Sequence, residues 1–111
     1  MEPIPMWKFD AASSLLPVAV LASIGKTPAH GYEIRQRLSE NGFGEFKGGT
    51  IYPLLKRLEE AELVTATWDI PGTGPTRKVY ELSQAGKEIV DKEINNIERL
   101  LNVIKAFSEG N

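Results

Sequence analysis

The sequence predicts a mainly α fold with one small β-hairpin, and three observations predict it. Gly49-Thr50-Ile51-Tyr52-Pro53-Leu54-Leu55-Lys56-Arg57-Leu58-Glu59 reads as a short amphipathic helix: Ile51, Leu54, Leu55 and Leu58 recur at i, i+3, i+4 and i+7 and make one apolar face. Val64 to Asp69 alternates apolar and polar residues, and Lys78 to Leu82 is a second strand candidate. Between them the run from Ile70 to Arg77 holds two prolines and two glycines, the pattern of a protruding hairpin loop. The last segment carries Val90, Ile94, Ile97, Leu101 and Ile104 at spacings of 4, 3, 4 and 3, a heptad seam.

Taken in chain order, residues 1–12 form an N-terminal arm with two prolines followed by Met6, Trp7 and Phe9. Ser13 and Ser14 are N-cap candidates for a first helix, Leu15 to Ile24, with Pro17 in its first turn and Gly25 as its stop. That helix is apolar on nearly every side, so Leu15 and Leu16 are expected to meet a partner subunit as well as the chain's own core. Thr27-Pro28 opens a second helix as cap and first-turn proline, running to about Glu40, with Ile34 and Leu38 inward and Arg35 and Arg37 outward. His30 orders its first turn, and Phe43 and Phe46 plug the core beneath the following connection. The third helix starts at a cap provided by Gly49 or Thr50, with Pro53 in the first turn. Ser83 caps a final helix over roughly 84–107, and Ile89, Leu100, Val103 and Phe107 broaden its seam. A helix of ~24 residues spans about 36 Å and outreaches so small a domain, which favours an intermolecular seam through Val90, Ile94, Ile97, Leu101 and Ile104. Helix, helix, helix, hairpin, helix is the order of a winged helix-turn-helix, spanning residues 13–82. A C-terminal dimerisation helix follows over 83–107, and 108–111 is a tail.

Composition bounds the function classes. A chain of 111 residues is one domain by length, and 41% apolar with 25% charged content is ordinary for a globular protein. With no cysteine and a single histidine, no metal cluster, disulfide framework or hydrolytic triad can be built, and no phosphate-binding glycine motif is present. Neither an enzyme nor a cofactor is expected. No apolar run reaches about 18 residues and no signal segment opens the chain, so a cytoplasmic protein without membrane contact is expected. The net charge of −2, from 13 basic and 15 acidic residues, does not by itself favour nucleic acid. Distribution matters more. Glu59, Glu60 and Glu62 gather at the far end of the third helix. Lys47, Lys56, Arg57, Arg77 and Lys78 lie nearer its start or in the loop after it, a local basic stripe.

That stripe suits a helix that docks on double-stranded DNA. Tyr52 is a candidate for a phosphate or base edge, Thr50 for a phosphate contact beside its capping role, and Lys56 for a phosphate. Lys47, Gly49, Pro53 and Arg57 complete the docking face. Thr76, Arg77 and Lys78 follow the glycine-rich loop, where arginine can enter a narrow minor groove. The alternatives are a half-buried packing role for Tyr52 and cross-strand pairing of Arg77 or Lys78 with Asp69 or Glu81. Trp68 reads as hairpin core or as a ligand-facing ring. The competing function is a winged-helix module used for protein contacts without DNA.

His30-Gly31-Tyr32-Glu33-Ile34, the 49–59 segment, and Arg77-Lys78-Val79-Tyr80-Glu81-Leu82-Ser83-Gln84-Ala85-Gly86 together resemble the PadR family of bacterial and archaeal transcriptional regulators. The three motifs fall in order over roughly residues 14–90. The chain looks like the short subclass with a single C-terminal helix. The resemblance implies a homodimer, a winged-helix DNA-binding domain, and repression that small ligands often relieve. Some short members place a tryptophan on the last helix, facing a central dimer pore. That position falls near Ile97 here, and the two tryptophans of this chain are Trp7 and Trp68. The apolar first helix and the widened stripe of the last one should line the dimer centre with Leu, Ile and Val, so a small aromatic effector is expected between the subunits near Ile97, with stacking supplied by Trp7 of the arm in place of the missing tryptophan.

Overall fold

The computed structural model describes residues 9–70 and 72–110. The elements are α1 (Ala11–Ser23), β1 (Ala29–His30), α2 (Gly31–Glu40), α3 (Gly48–Glu60), β2 (Val64–Asp69), β3 (Arg77–Leu82) and α4 (Gln84–Gly110). The fold is a winged helix-turn-helix continued by a long C-terminal helix.

α1 starts earlier than Ser13 or Ser14 would allow, because Asp10 is the cap. Its carboxylate accepts from the Ser13 backbone N–H at 3.2 Å and from the Ser13 hydroxyl at 2.6 Å. Those two bonds, the hydroxyl one foremost, hold the Asp10 carboxyl below its ordinary pKa. The earlier start places Pro17 in the second turn of α1. Leu16, Val20 and Leu21 are buried on the inner face, and α1 packs against α2 and α4.

Thr27-Pro28 does not open α2. Ala29 and His30 instead form β1, which pairs antiparallel with β3 through Ala29↔Tyr80 and His30↔Val79. The sheet thus has three strands in the order β1-β3-β2, one more than the hairpin expected. The cap of α2 is His30. Its Nδ1 accepts from the Glu33 N–H at 3.4 Å, while the Glu33 carboxylate accepts from the His30 N–H at 3.2 Å. This reciprocal capping box satisfies two backbone donors that would otherwise be orphaned. Arg35 and Arg37 do not simply face water. Arg35 Nε donates to the Phe46 carbonyl at 2.9 Å. Arg37 Nη1 donates to the Ser23 and Thr27 carbonyls at 2.8 and 2.7 Å. Each ties a loop to α2.

α3 begins at Gly48 with Lys47 as N-cap and without a side-chain capping bond, so neither Gly49 nor Thr50 caps it. The Lys47 carbonyl accepts from the Thr50 and Ile51 N–H groups at 2.9 and 3.1 Å. Pro53 consequently lies in the second turn. It leaves the Gly49 carbonyl without an intrahelical donor, a cost lowered by the exposure of Gly49 to water.

One core joins these elements. Val20, Ile34, Ile51 and Leu55 are fully buried at its centre, and Phe43 and Phe46 pack against it from the α2–α3 connection. Ser83 caps α4 as expected: its Oγ accepts from the Gly86 N–H at 3.0 Å and donates to the Glu62 carbonyl at 2.8 Å. Gly86 lets α4 approach the sheet closely, since a Cβ there would collide with the Leu63 carbonyl. α4 runs to Gly110, past the expected end at 107, and its 27 residues make a rod of about 40 Å.

Candidate nucleic-acid interface

α3 separates its residues sharply by face. Ile51, Leu54, Leu55 and Leu58 are buried, and Gly49, Thr50, Tyr52, Pro53, Lys56 and Arg57 are all exposed. The 3.6-residue period forces this division, since the four apolar positions occupy one side of the cylinder. Lys47 is exposed just before the first turn. Lys56 and Arg57 lie in the last third of the helix beside the exposed Glu60, so the cations Lys47, Lys56 and Arg57 flank a neutral stretch of Gly49, Thr50, Tyr52 and Pro53.

The β2–β3 hairpin stands beside α3. Its register places Trp68 opposite Lys78 and Asp69 opposite Arg77. Thr76 and Arg77 are exposed, whereas Lys78 is half-buried. Lys78 pairs with neither Asp69 nor Glu81. Its Nζ lies 3.2 Å from Glu59 Oε1 at the end of α3 and 5.4 Å from the centre of the Trp68 ring. Lys78 therefore braces the wing against α3. Trp68 is 62% exposed and is not hairpin core.

Arg77 Nη1 lies 3.1 Å from His30 Nε2, and the same nitrogen is 3.0 Å from Glu33 Oε1. A neutral imidazole has one donor and one acceptor nitrogen. With Nδ1 accepting from the Glu33 N–H, Nε2 carries the proton and donates to the Glu33 carboxylate. It then has no lone pair for Arg77. With Nε2 accepting from Arg77, the Nδ1 cap is given up. The helix cap and the wing arginine thus compete for one ring. This link joins residues 47 positions apart and was not visible in the sequence, where His30 only orders α2.

His30, Tyr32, Tyr52, Trp68, Arg77 and Tyr80 are among the residues lining an open cleft of about 570 Å³ between α2, α3 and the wing. Burial pushes the Tyr80 phenol above its ordinary pKa. Tyr32 and Tyr80 carried no sequence signal for this site beyond membership of the quoted motifs. Among the described residues no group of three or more acidic or histidine side chains is placed to hold a metal ion. No helix among them is long and apolar enough to cross a membrane.

The expected dimer residues divide into two sets. Leu16 and Val90 are buried in the chain's own core, and Leu15 is half-buried. Farther along α4, Ile94, Leu101 and Ile104 are 45%, 47% and 64% exposed, and Ile97 is half-buried. Of the expected ligand residues, Ile97 lies on this stretch, and Trp7 lies outside the described residues.

An amphipathic helix with its polar face open, flanked by a braced wing, defines a winged-helix DNA-binding regulator. The sequence model of the transcriptional regulator PadR-like family matches residues 20–92, and the chain belongs to that family, whose members are transcriptional regulators rather than enzymes. The PadR family transcriptional regulator of Eggerthella lenta superposes with a TM-score of 0.86 at 26% identity, over 95% of this chain and 91% of that one. A Streptococcus transcriptional regulator superposes with a TM-score of 0.77 at 32% identity, over 87% of this chain and 95% of that one. A Bacillus subtilis protein named negative transcriptional regulator PadR is 34% identical over 77 residues, which cover 67% of this chain but 42% of that protein. An uncharacterized protein of Lysinibacillus sphaericus is 28% identical over 107 residues, covering 95% of this chain and 98% of that one.

Proposed function

We propose that this regulator is a cytoplasmic repressor. It acts as a homodimer on an inverted-repeat operator and is released by a small aromatic ligand. The observation that carries the DNA-binding mode is the open face of α3, where Gly49, Thr50, Tyr52, Pro53, Lys56 and Arg57 are exposed together above a fully apolar underside. In this reading Thr50, Tyr52 and Lys56 meet the operator in the major groove, with Lys47 and Arg57 at its edges. Thr76 and Arg77 reach the adjacent backbone or minor groove. Lys78 acts chiefly as the brace that sets the wing, because its ammonium is already shared between Glu59 and Trp68. Repression is supported by the name of the Bacillus subtilis relative, a negative regulator.

Dimerisation is supported by Ile94, Ile97, Leu101 and Ile104, an apolar row that the chain itself leaves uncovered or half covered. Two copies joined along α4 present two reading helices to half-sites about 34–36 Å apart. A ligand seated between subunits near Ile97, with Trp7 stacking on it, would release DNA by favouring a dimer with differently spaced reading helices. A gel shift on the protein's own upstream region tests the whole. The wild type forms a specific complex and Lys56→Ala a weaker one. The same region footprints as two related half-sites. No complex at low salt would favour the protein-contact alternative. Aromatic compounds that dissociate the complex should quench tryptophan fluorescence in the wild type and much less in Trp7→Phe; quenching unchanged in Trp7→Phe would remove Trp7 from the ligand site.

A further inference from the structure

The ring of Tyr52 crosses from α3 to the first residue of α2. A Cβ on Gly31 would collide with Tyr52 Cε1 and lie 2.9 Å from its Cζ. A Cβ on Gly48 would lie 3.3 Å from Cδ2 and Cε2 of the same ring. Two glycines, one at the start of each helix, therefore vacate the slot that the ring occupies.

Backbone conformation does not account for glycine at position 31. The glycines with positive φ are Gly42, Gly44 and Gly74 among the described residues, and Gly31 is not one of them. Its neighbours explain the residue instead: any side chain there would enter the space of the Tyr52 ring, and the far end of a tyrosine is the part that would move. Gly31 is itself buried, while Tyr52 keeps 48% of its surface exposed. The phenol end of the ring, whose hydroxyl oxygen would lie 3.1 Å from a Cβ on Gly31, is the part held, and about half of the residue's surface stays open.

We infer that Gly31 is a positioning residue for DNA recognition: by lacking a side chain it seats the phenol end of Tyr52 and fixes where the ring is offered in the cleft between α2, α3 and the wing. This rests on the reading of Tyr52 as a DNA contact. The physical gain is preorganisation. A tyrosine that is already ordered loses less conformational entropy when it meets the operator.

The test is a double-mutant cycle on operator affinity, read by fluorescence anisotropy with a labelled duplex from the protein's own upstream region, alongside thermal unfolding. Gly31→Ala should weaken binding on the order of tenfold, the size of one hydrogen bond to a charged group. Its melting temperature should stay level or rise, since alanine favours helix over glycine. Tyr52→Ala should weaken binding similarly, and adding Gly31→Ala to it should cost nothing more. A structural defect at Gly31 would persist in the absence of the tyrosine, so this cancellation is the discriminating readout.

If Tyr52→Ala weakens binding and Gly31→Ala does not, the seat is wrong and the DNA role of Tyr52 stands. Additive losses would equally overturn the inference, because Gly31 would then act by itself. Wild-type affinity in Tyr52→Ala would remove the DNA role of Tyr52 and the seat with it. Should Gly31→Ala fail to fold, Gly48→Ala replaces it in the same cycle, with a gentler push on the ring and an expected loss of roughly twofold to threefold that again vanishes without Tyr52.

Discussion

The winged domain and the distal half of α4 are both rich in apolar residues, but they use them differently. In the winged domain, Leu55, Ile51, Ile34 and Val20 are wholly covered by the same chain. Past Val90, no apolar side chain of α4 is buried, and Leu101 and Ile104 stand 47% and 64% exposed. The first region is complete in one copy. The second is left open by its own chain, and the proposed dimer would cover it, since a row of exposed aliphatic residues at heptad spacing lowers its free energy by meeting a second apolar surface. The family match also divides the molecule near this point, covering residues 20–92 and ending just beyond Val90.

The largest effects should come from removing bulk in each region. Leu55→Ala opens a cavity in the closed core and should cost about 2–5 kcal/mol in chemical denaturation. Ile104→Ala should cost less, and its cost should depend on protein concentration, because stability gained through association follows mass action. Equal costs at every concentration would mean that both regions are closed within one chain.

Intermediate effects belong to the site. His30→Ala removes a helix cap and should lower stability by roughly 0.5–2 kcal/mol, with His30→Asn recovering most of it. DNA binding should separate the cap from the wing: His30→Asn keeps an acceptor for the Glu33 N–H but is too short to hold Arg77. Operator affinity that changes in His30→Asn, and no longer changes when Arg77 is already alanine, would confirm that the ring governs the arginine. Arg77→Ala should flatten the salt dependence of binding by up to about 0.9 in log–log slope for one lost phosphate contact. Lys78→Ala should change that slope less, since Glu59 already engages the ammonium. Equal slopes would return Lys78 to the contact face.

The smallest effect is at the start of α1. The Asp10 carboxyl titrates below its ordinary value because it accepts two bonds from Ser13. Its contribution is therefore present above the pKa it has in the unfolded chain and fades as pH falls through the folded one. The melting temperature of the wild type should drop slightly more than that of Asp10→Asn over that acidic window.

Sequence pattern revealed the parts whose causes are local. The apolar face of α3, the bounds of β2 and the Ser83 cap all follow from spacings within a few residues. What escaped was set by distant partners. β1 is two residues long and exists because β3 offers an edge, so Thr27-Pro28 looked like the better helix start. Lys78 faces Glu59 rather than a cross-strand acid because the hairpin leans on the end of α3. The Arg77–His30 contact joins the wing to β1, a neighbour the sequence did not announce. Leu16 and Val90 carry apolar periodicities that do not distinguish a chain's own core from a partner's, and both are buried within this chain.

Sedimentation equilibrium of the wild type and Leu101→Asp tests the contrast between the two regions most directly. Leu101 lies beyond the closed core, so the substitution should leave helical circular dichroism and the cooperative unfolding of the winged domain in place. The wild type should sediment at twice the chain mass of 12.3 kDa and Leu101→Asp at the mass of one chain. A wild type that sediments as a single chain at micromolar concentration, or a Leu101→Asp dimer as tight as the wild type, would contradict the assignment of distal α4 to a partner.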